Sequence, residues 1–167
     1  RFPTNGYAAD LQLFDSESGL GADDNYTRMA FHLQGAVRSG PHVLRAMVRG
    51  GGNLKSGPLP DYELFKLGGF LQLSGYNTDE LLGSEISFGR LVYNYRLSGP
   101  GFFDGMYVGL SAEAGRIGEA VVGSNRDRLR RGGSVYFAVD TPLGPIYLAY
   151  GHADGGRQAA YLFLGAP

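Results

Sequence analysis

From Asn25 to Arg38 the chain alternates. Thr27, Met29, Phe31, Leu33, Gly35 and Val37 share one parity, and Tyr26, Arg28, Ala30, His32, Gln34, Ala36 and Arg38 share the other. A period of two sustained this far predicts a strand and excludes a helix. The stretch is also long. A soluble strand has about 5–6 residues, whereas a tilted membrane-spanning strand needs roughly 9–11. The alternation returns along the chain. Leu44, Ala46 and Val48 oppose Arg45, Met47 and Arg49; Val108 and Leu110 oppose Tyr107, Gly109 and Ser111; Val135, Phe137 and Val139 oppose Ser134, Tyr136 and Asp140. Eight strands are predicted, near 6–15, 25–38, 42–51, 84–97, 103–116, 132–141, 144–151 and 158–165. Turn signals at Ser39-Gly40-Pro41, Gly99-Pro100-Gly101 and Pro142-Leu143-Gly144-Pro145 indicate an antiparallel meander. The strand at 84–97 changes phase. Ile86 and Phe88 share one parity, and Leu91, Tyr93, Tyr95 and Leu97 the other, which predicts a bulge near Gly89.

The predicted links alternate in length: short after strands two, four and six, longer after one, three, five and seven. The third, at about 52–83, is by far the longest and is rich in glycine. An outer-membrane barrel has this asymmetry, with tight turns at one end and long loops at the other. A soluble sandwich or lipocalin-like barrel is the alternative, with an apolar inside and a polar outside. Alternation alone does not say which parity faces out. Strand length and the low charge content favour the membrane.

Composition adds limits. The chain has 167 residues, enough for one domain with a sizeable core. Glycine numbers 28, more than double the usual share of about 7%, with no repeating period. Net charge is -1, which argues against nucleic acid as a partner. With no Cys there is neither a disulfide framework nor a thiolate metal site. No apolar run approaches the ~20 residues of a membrane helix. A mean hydropathy of -0.15 suits a soluble protein, but alternating barrel strands average to the same value. Arg1, with no signal peptide before it, suggests a mature protein or a cut fragment.

Three motifs then occur in order. The chain opens Arg1-Phe2-Pro3-Thr4-Asn5-Gly6. The long link holds Leu67-Gly68-Gly69 and Ser74-Gly75-Tyr76. Near the end comes Thr141-Pro142-Leu143-Gly144-Pro145. In this order and at these separations they resemble the C-terminal half of the barrel in the BamA/TamA superfamily of outer-membrane insertases and secretion pores. Within it, Leu59-Pro60-Asp61-Tyr62-Glu63-Leu64-Phe65-Lys66 before Leu67-Gly68-Gly69, and the ending Tyr161-Leu162-Phe163-Leu164-Gly165, are similar to the translocator barrel of patatin-like phospholipases, the type Vd autotransporters. The resemblance implies an all-β, antiparallel transmembrane β-barrel. About eight strands lie here, half of a sixteen-stranded whole. Residues 1–167 would form one outer-membrane unit whose loop at about 52–83 folds inward, and Thr141–Pro145 would be the terminal hairpin turn. It implies the outer membrane of a Gram-negative bacterium, a passenger domain on the same polypeptide and insertion by the barrel assembly machinery. The lipase domain itself is not in this chain, and no GxSxG turn occurs.

Two positions depart from the superfamily pattern. Relatives carry an Arg before the Gly-aromatic pair, where it anchors the loop to acidic groups on the barrel wall; here Ser74 stands there. A Ser makes only ordinary hydrogen bonds, so the latch would be weaker, or would rest on Tyr76 packing and on Asp79 and Glu80 meeting wall arginines. Relatives also end on an aromatic residue, and this chain ends Ala166-Pro167.

Candidate chemistry is sparse. In the barrel reading the lumen is lined by Arg28, His32, Arg45, Arg49, Arg90, Arg96 and Glu113. His32, His42 and His152 lack metal-ligand spacing and read as water-facing. Ser111 or Ser134 with His32 and Glu113 would form an esterase triad, but nothing in the local sequence favours it. Asp15, Glu17, Asp23 and Asp24 lack a calcium-loop pattern and read as a solvated acidic loop. Gly50-Gly51-Gly52-Asn53 is no phosphate loop. The basic run Arg126–Arg131 reads as a charged external loop, with lipopolysaccharide phosphate as its candidate ligand. Tyr93, Tyr95, Tyr147, Tyr150 and Tyr161 suit an interfacial aromatic belt.

The expectation is therefore a non-catalytic translocator or insertase barrel, with no cofactor or metal. An outer-membrane lipid hydrolase or acyltransferase barrel and a soluble β-barrel binding module are the alternatives. Eight strands close around an interior only wide enough for side chains. The remaining strands then lie on another segment, or two copies pair at their open edges.

Overall fold

The structure is a computed structural model and describes residues 5–17, 25–55, 59–97, 105–122, 128–141 and 143–165. It is all-β, with a single 3-10 turn among the described residues, at Asp61–Glu63. The strands are β1 (Gly6–Ser16), β2 (Tyr26–Ser39), β3 (His42–Asn53), β4 (Phe65–Leu67), β5 (Leu81–Leu97), β6 (Met106–Val122), β7 (Arg130–Thr141), β8 (Gly144–Ala153) and β9 (Arg157–Leu164). All pair antiparallel in the order β1-β2-β3-β5-β6-β7-β8-β9, each long strand beside its neighbour in sequence. The short β4 folds back onto the start of β5. The eight predicted strands are all present, and β4 lies inside the predicted long link. The link after β8 is shorter than expected, because the hairpin extends to Ala153 and Arg157 and leaves only Asp154–Gly156 between them.

The sheet is open. Among the described residues β1 and β9 each pair on one side only, so no closed barrel forms. β1 is exposed on both faces along nearly its whole length.

The two faces differ in a way that settles the parity question. The apolar parity points to solvent. Leu33 on β2, Val48 on β3, Leu91 on β5, Leu110 on β6, Val135 on β7, Leu148 on β8 and Leu162 on β9 are all exposed. The opposite parity carries the charged residues together with Ala, Gly and Tyr. It faces residues 59–80, which lie across the sheet and bury Leu67, Phe70, Leu71 and Leu73 almost completely. This face is the inner face below, and the apolar one the outer face.

The phase change in β5 has a different cause from the predicted bulge. Pairing with β6 runs unbroken from Glu85 to Leu97, and the one irregularity lies between Leu82 and Gly83. Ile86 and Phe88 are buried because the inner segment packs on them, while Leu91, Tyr93 and Tyr95 are exposed on the outer face. The outer face at that end of β5 turns polar: Glu85 and Ser87 are exposed, and Ser87 stands opposite exposed Arg116 of β6. The strand therefore keeps its register, and it is the apolar side that changes. Arg131, His152 and Gln158 continue this polar rim on β7–β9.

Candidate functional site

The inner segment is held to the sheet along its length. Its start is pinned where the Leu59 N–H donates to Ser84 Oγ at 2.9 Å. Arg28 Nε donates to the Glu63 carbonyl at 3.2 Å and lies 3.4 Å from the Glu63 carboxylate, with its guanidinium 4.2 Å from the centre of the Phe65 ring. Arg49 donates to the Lys66 carbonyl at 3.0 Å. After Leu67 the chain turns through Gly68 and Gly69, closed by Gly68 N–H to the Gln72 carbonyl and Gln72 N–H to the Gly69 carbonyl.

The tip, residues 70–76, carries the densest contacts. Glu113 on β6 is buried, and its carboxylate accepts from the Leu73 N–H at 2.8 Å, the Ser74 N–H at 2.5 Å, Ser74 Oγ at 2.8 Å and Ser111 Oγ at 2.5 Å. Ser111 Oγ lies 2.7 Å from Ser134 Oγ, and the Ser134 N–H donates to it. Arg90 stands directly opposite Glu113 in the β5–β6 register, but its guanidinium donates to the Leu71 carbonyl at 2.7 Å. The hydroxyl of Tyr161 on β9 accepts from the Gly75 N–H at 2.8 Å and donates to the Tyr76 carbonyl at 2.6 Å. The wall thus reads the main chain of the tip more than its side chains. Leu71 and Leu73 are held at positive φ, 58° and 89°. Non-glycine residues sit there at a cost of about 1–3 kcal/mol each, sustained only where neighbours over-determine them.

Close approach requires the glycines here. Gly75 has φ 102°, and a Cβ on it would stand 2.6 Å from Ala153. A Cβ on Gly151 of β8 would come 2.6 Å from the Gly75 nitrogen, and one on Gly132 of β7 would run into the Ser74 carbonyl oxygen. Gly132, Gly151 and Ala153 therefore form a floor of main chain into which the tip sinks. Beside it Phe70 packs among Tyr136, Tyr147, Tyr161 and Phe163, with ring centres 5.1–6.3 Å away.

Ser74 stands where the superfamily resemblance leads one to expect an Arg. Glu113 is an acidic group on the wall, and Ser74 meets it with its hydroxyl and its N–H together. The cation comes from the β8–β9 hairpin. Arg157 lies 2.5 Å from Glu80, with its guanidinium 4.5 Å from the centre of the Tyr76 ring. Of the two expected acidic contacts, Glu80 finds an arginine, whereas Asp79 pairs with Lys66 inside the segment at 3.7 Å.

The other predicted positions fall as follows. Arg28, His32, Arg45, Arg49, Arg90 and Arg96 are all half-buried on inner-face parity. His32 stands opposite Asp10 of β1 and Arg49 of β3. Thr141, Gly144 and Pro145 form the tight β7–β8 turn, with Thr141 Oγ1 donating to the Gly144 carbonyl at 2.6 Å and Leu143 projecting outward. Pro142 lies outside the described residues, as do Arg1–Thr4, Asp23, Asp24, Arg126, Asp127 and the chain end at Ala166-Pro167. Tyr93, Tyr95 and Tyr150 are on the outer face, but Tyr147 and Tyr161 point inward and are buried, which removes them from the predicted belt. No esterase set assembles: Ser111 donates to Glu113 and Ser134 meets only Ser111, while His32 is on β2, with β3 and β5 between it and β6. Among the described residues no group of His and carboxylates could hold a metal. Asp15 and Glu17 instead flank Lys55 at 3.0 and 3.5 Å, and the hydrogen bond to Asp15 raises the Lys55 pKa above its ordinary value.

Sequence reasoning did not place Phe70, Ser111, Ser134, Gly132, Gly151 or Tyr161 in the cradle, and missed Arg157 altogether. Their one visible signal is glycine in strands that otherwise alternate cleanly, which marks close approach of another backbone. No protein-family model matches the chain, and no curated protein matches it.

Proposed function

We propose that this chain is one half of an outer-membrane β-barrel whose inner segment plugs the lumen, and that it serves as the translocator of a passenger domain on the same polypeptide. The observation that carries this reading is the inversion of the two faces. Apolar side chains form the exposed outer band, while arginines, Glu113 and a folded loop occupy the inner face. Soluble monomers rarely expose contiguous apolar patches beyond a few hundred Å². A barrel in lipid requires this arrangement, because its outside faces acyl chains and its inside faces water. The strand lengths and the polar rim at Glu85, Ser87 and Arg116 support the same reading.

In the proposal, the free edges of β1 and β9 pair with eight further strands, supplied by another segment or by a second copy. The protein sits in the outer membrane of a Gram-negative bacterium, placed there by the barrel assembly machinery, with lipopolysaccharide around its outer rim. By resemblance the passenger is a patatin-like phospholipase. The chain contributes no catalytic group; its residues bind lipid, hold the plug and keep the inner face wet. Deleting residues 67–83 is expected to raise single-channel conductance in planar bilayers. A channel indifferent to the deletion would count against the plug.

A further inference from the structure

The inner segment covers the inner face unevenly. Over β7–β9 its aromatic and leucine side chains seal against the sheet, with Phe70 and Leu71 at most 2% exposed. Over β1–β3 it leaves a cleft of about 750 Å³, walled by those strands, β5 and the segment itself. Four cations line the cleft, Arg28, Arg49, Lys66 and Arg90, against two carboxylates, Asp10 and Asp79. Lys66 is paired with Asp79 and Arg28 with Glu63. Arg49 and Arg90 each donate to a main-chain carbonyl of the segment, and neither has a carboxylate within ion-pair distance among the described residues. Arg49 Nε, buried at the wall, has no hydrogen-bond partner among the described residues.

We infer that this cleft is an aqueous path past the plug and that it prefers small anions, of the carboxylate and phosphate class. The inference rests on the membrane-barrel reading. Fixed guanidinium groups inside a low-dielectric shell concentrate counter-ions, and arginine-lined constrictions select for anions. Plug contacts hold the two arginines in place, so the path exists with the plug seated. It runs beside the open β1 edge, away from the aromatic seal.

The chain has no Cys, so single cysteines can report on it cleanly. Gln34 lines the cleft and holds no hydrogen bond to the segment, whereas Ala149 lies buried on the sealed side. With the protein in lipid, Gln34→Cys is expected to react with water-soluble thiosulfonates, the anionic reagent about tenfold faster than the cationic one. Ala149→Cys should stay unreactive. In planar bilayers under a salt gradient, Gln34→Glu should shift the reversal potential toward cations and Gln34→Arg further toward anions. An unreactive thiol in the Gln34→Cys variant, equal rates for both reagents, or a reversal potential unmoved by either charged variant would overturn the path. A lipid-phase probe on Leu110→Cys separates the two levels. If it reports water, the membrane barrel itself fails. If it reports acyl chains while Gln34→Cys stays silent, only the path fails.

Discussion

At the scale of single residues, Glu113 is the group on which the inner segment most depends. It is a buried carboxylate whose charge is met by two main-chain N–H groups and two hydroxyls, with no cation in ion-pair contact among the described residues. Each buried donor left without an acceptor costs about 1–3 kcal/mol. Glu113→Ala strands several at once, so a loss of at least about 3 kcal/mol is expected, either as lower unfolding stability in urea or as release of the tip. Glu113→Gln should be milder, because its amide oxygen can keep both N–H groups while its NH₂ faces the hydroxyls of Ser74 and Ser111. Ser74→Ala removes a single hydroxyl and should cost about 1 kcal/mol. Denaturant titration together with limited proteolysis of residues 67–80 measures all three. An Ala variant as stable and as protease-resistant as the native protein would remove Glu113 from its proposed role. The tip was legible in the sequence as Leu67-Gly68-Gly69 and Ser74-Gly75-Tyr76, because glycine pairs beside an aromatic mark unusual backbone. The identity of its anchor was not. Glu113 lies 39 residues from Ser74, and only strand register brings them together.

At the scale of elements, the β8–β9 hairpin clasps the inner segment. Arg157 both pairs with Glu80 and stacks on Tyr76. The pair is partly exposed, 47% and 25% by side chain, so solvent screening limits it. Ion pair and cation–π contact together should contribute about 1 kcal/mol. Arg157→Ala is therefore expected to loosen residues 75–80 locally while leaving the sheet intact. Amide exchange there should speed up about fivefold, with the strand amides unchanged. Arg157→Lys keeps the charge but not the flat stacking surface, and should fall between. Exchange unchanged in the Ala variant would mean that the tip is held by Glu113 and Tyr161 without the clasp. The strands themselves were readable from alternation, to within a few residues at most ends. β5 was misread, because its inner face turns apolar where the inner segment packs and its outer face turns polar at the rim. A one-dimensional pattern cannot distinguish that exchange from a bulge. The extra lengths of β5 and β6 were invisible for a related reason: Leu81–Gly83 and Ile117–Val122 run past the apolar band, where no alternation marks them.

For the whole molecule, the outer band can be tested without reference to any transported substrate. Leu110 lies in that band, exposed at 54%, between Tyr93 of β5 and Val135 of β7 in the sheet register. If the band faces acyl chains, an arginine there must be dragged into hydrocarbon, and Leu110→Arg should cost about 2–4 kcal/mol in lipid. If instead the protein is a soluble module, the same change places a charge on a wet surface, with an effect within about 0.5 kcal/mol. Leu143 supplies the control. It is 87% exposed but sits at the β7–β8 turn, beyond the band, so Leu143→Arg should be nearly silent in either case. The difference between the two variants, measured by reversible unfolding from lipid vesicles, carries the decision. A large cost at Leu110 with none at Leu143 places the apolar face in a bilayer of limited thickness. Equal, small effects at both sites would return the exposed leucines to water, and would require another protein surface to cover them.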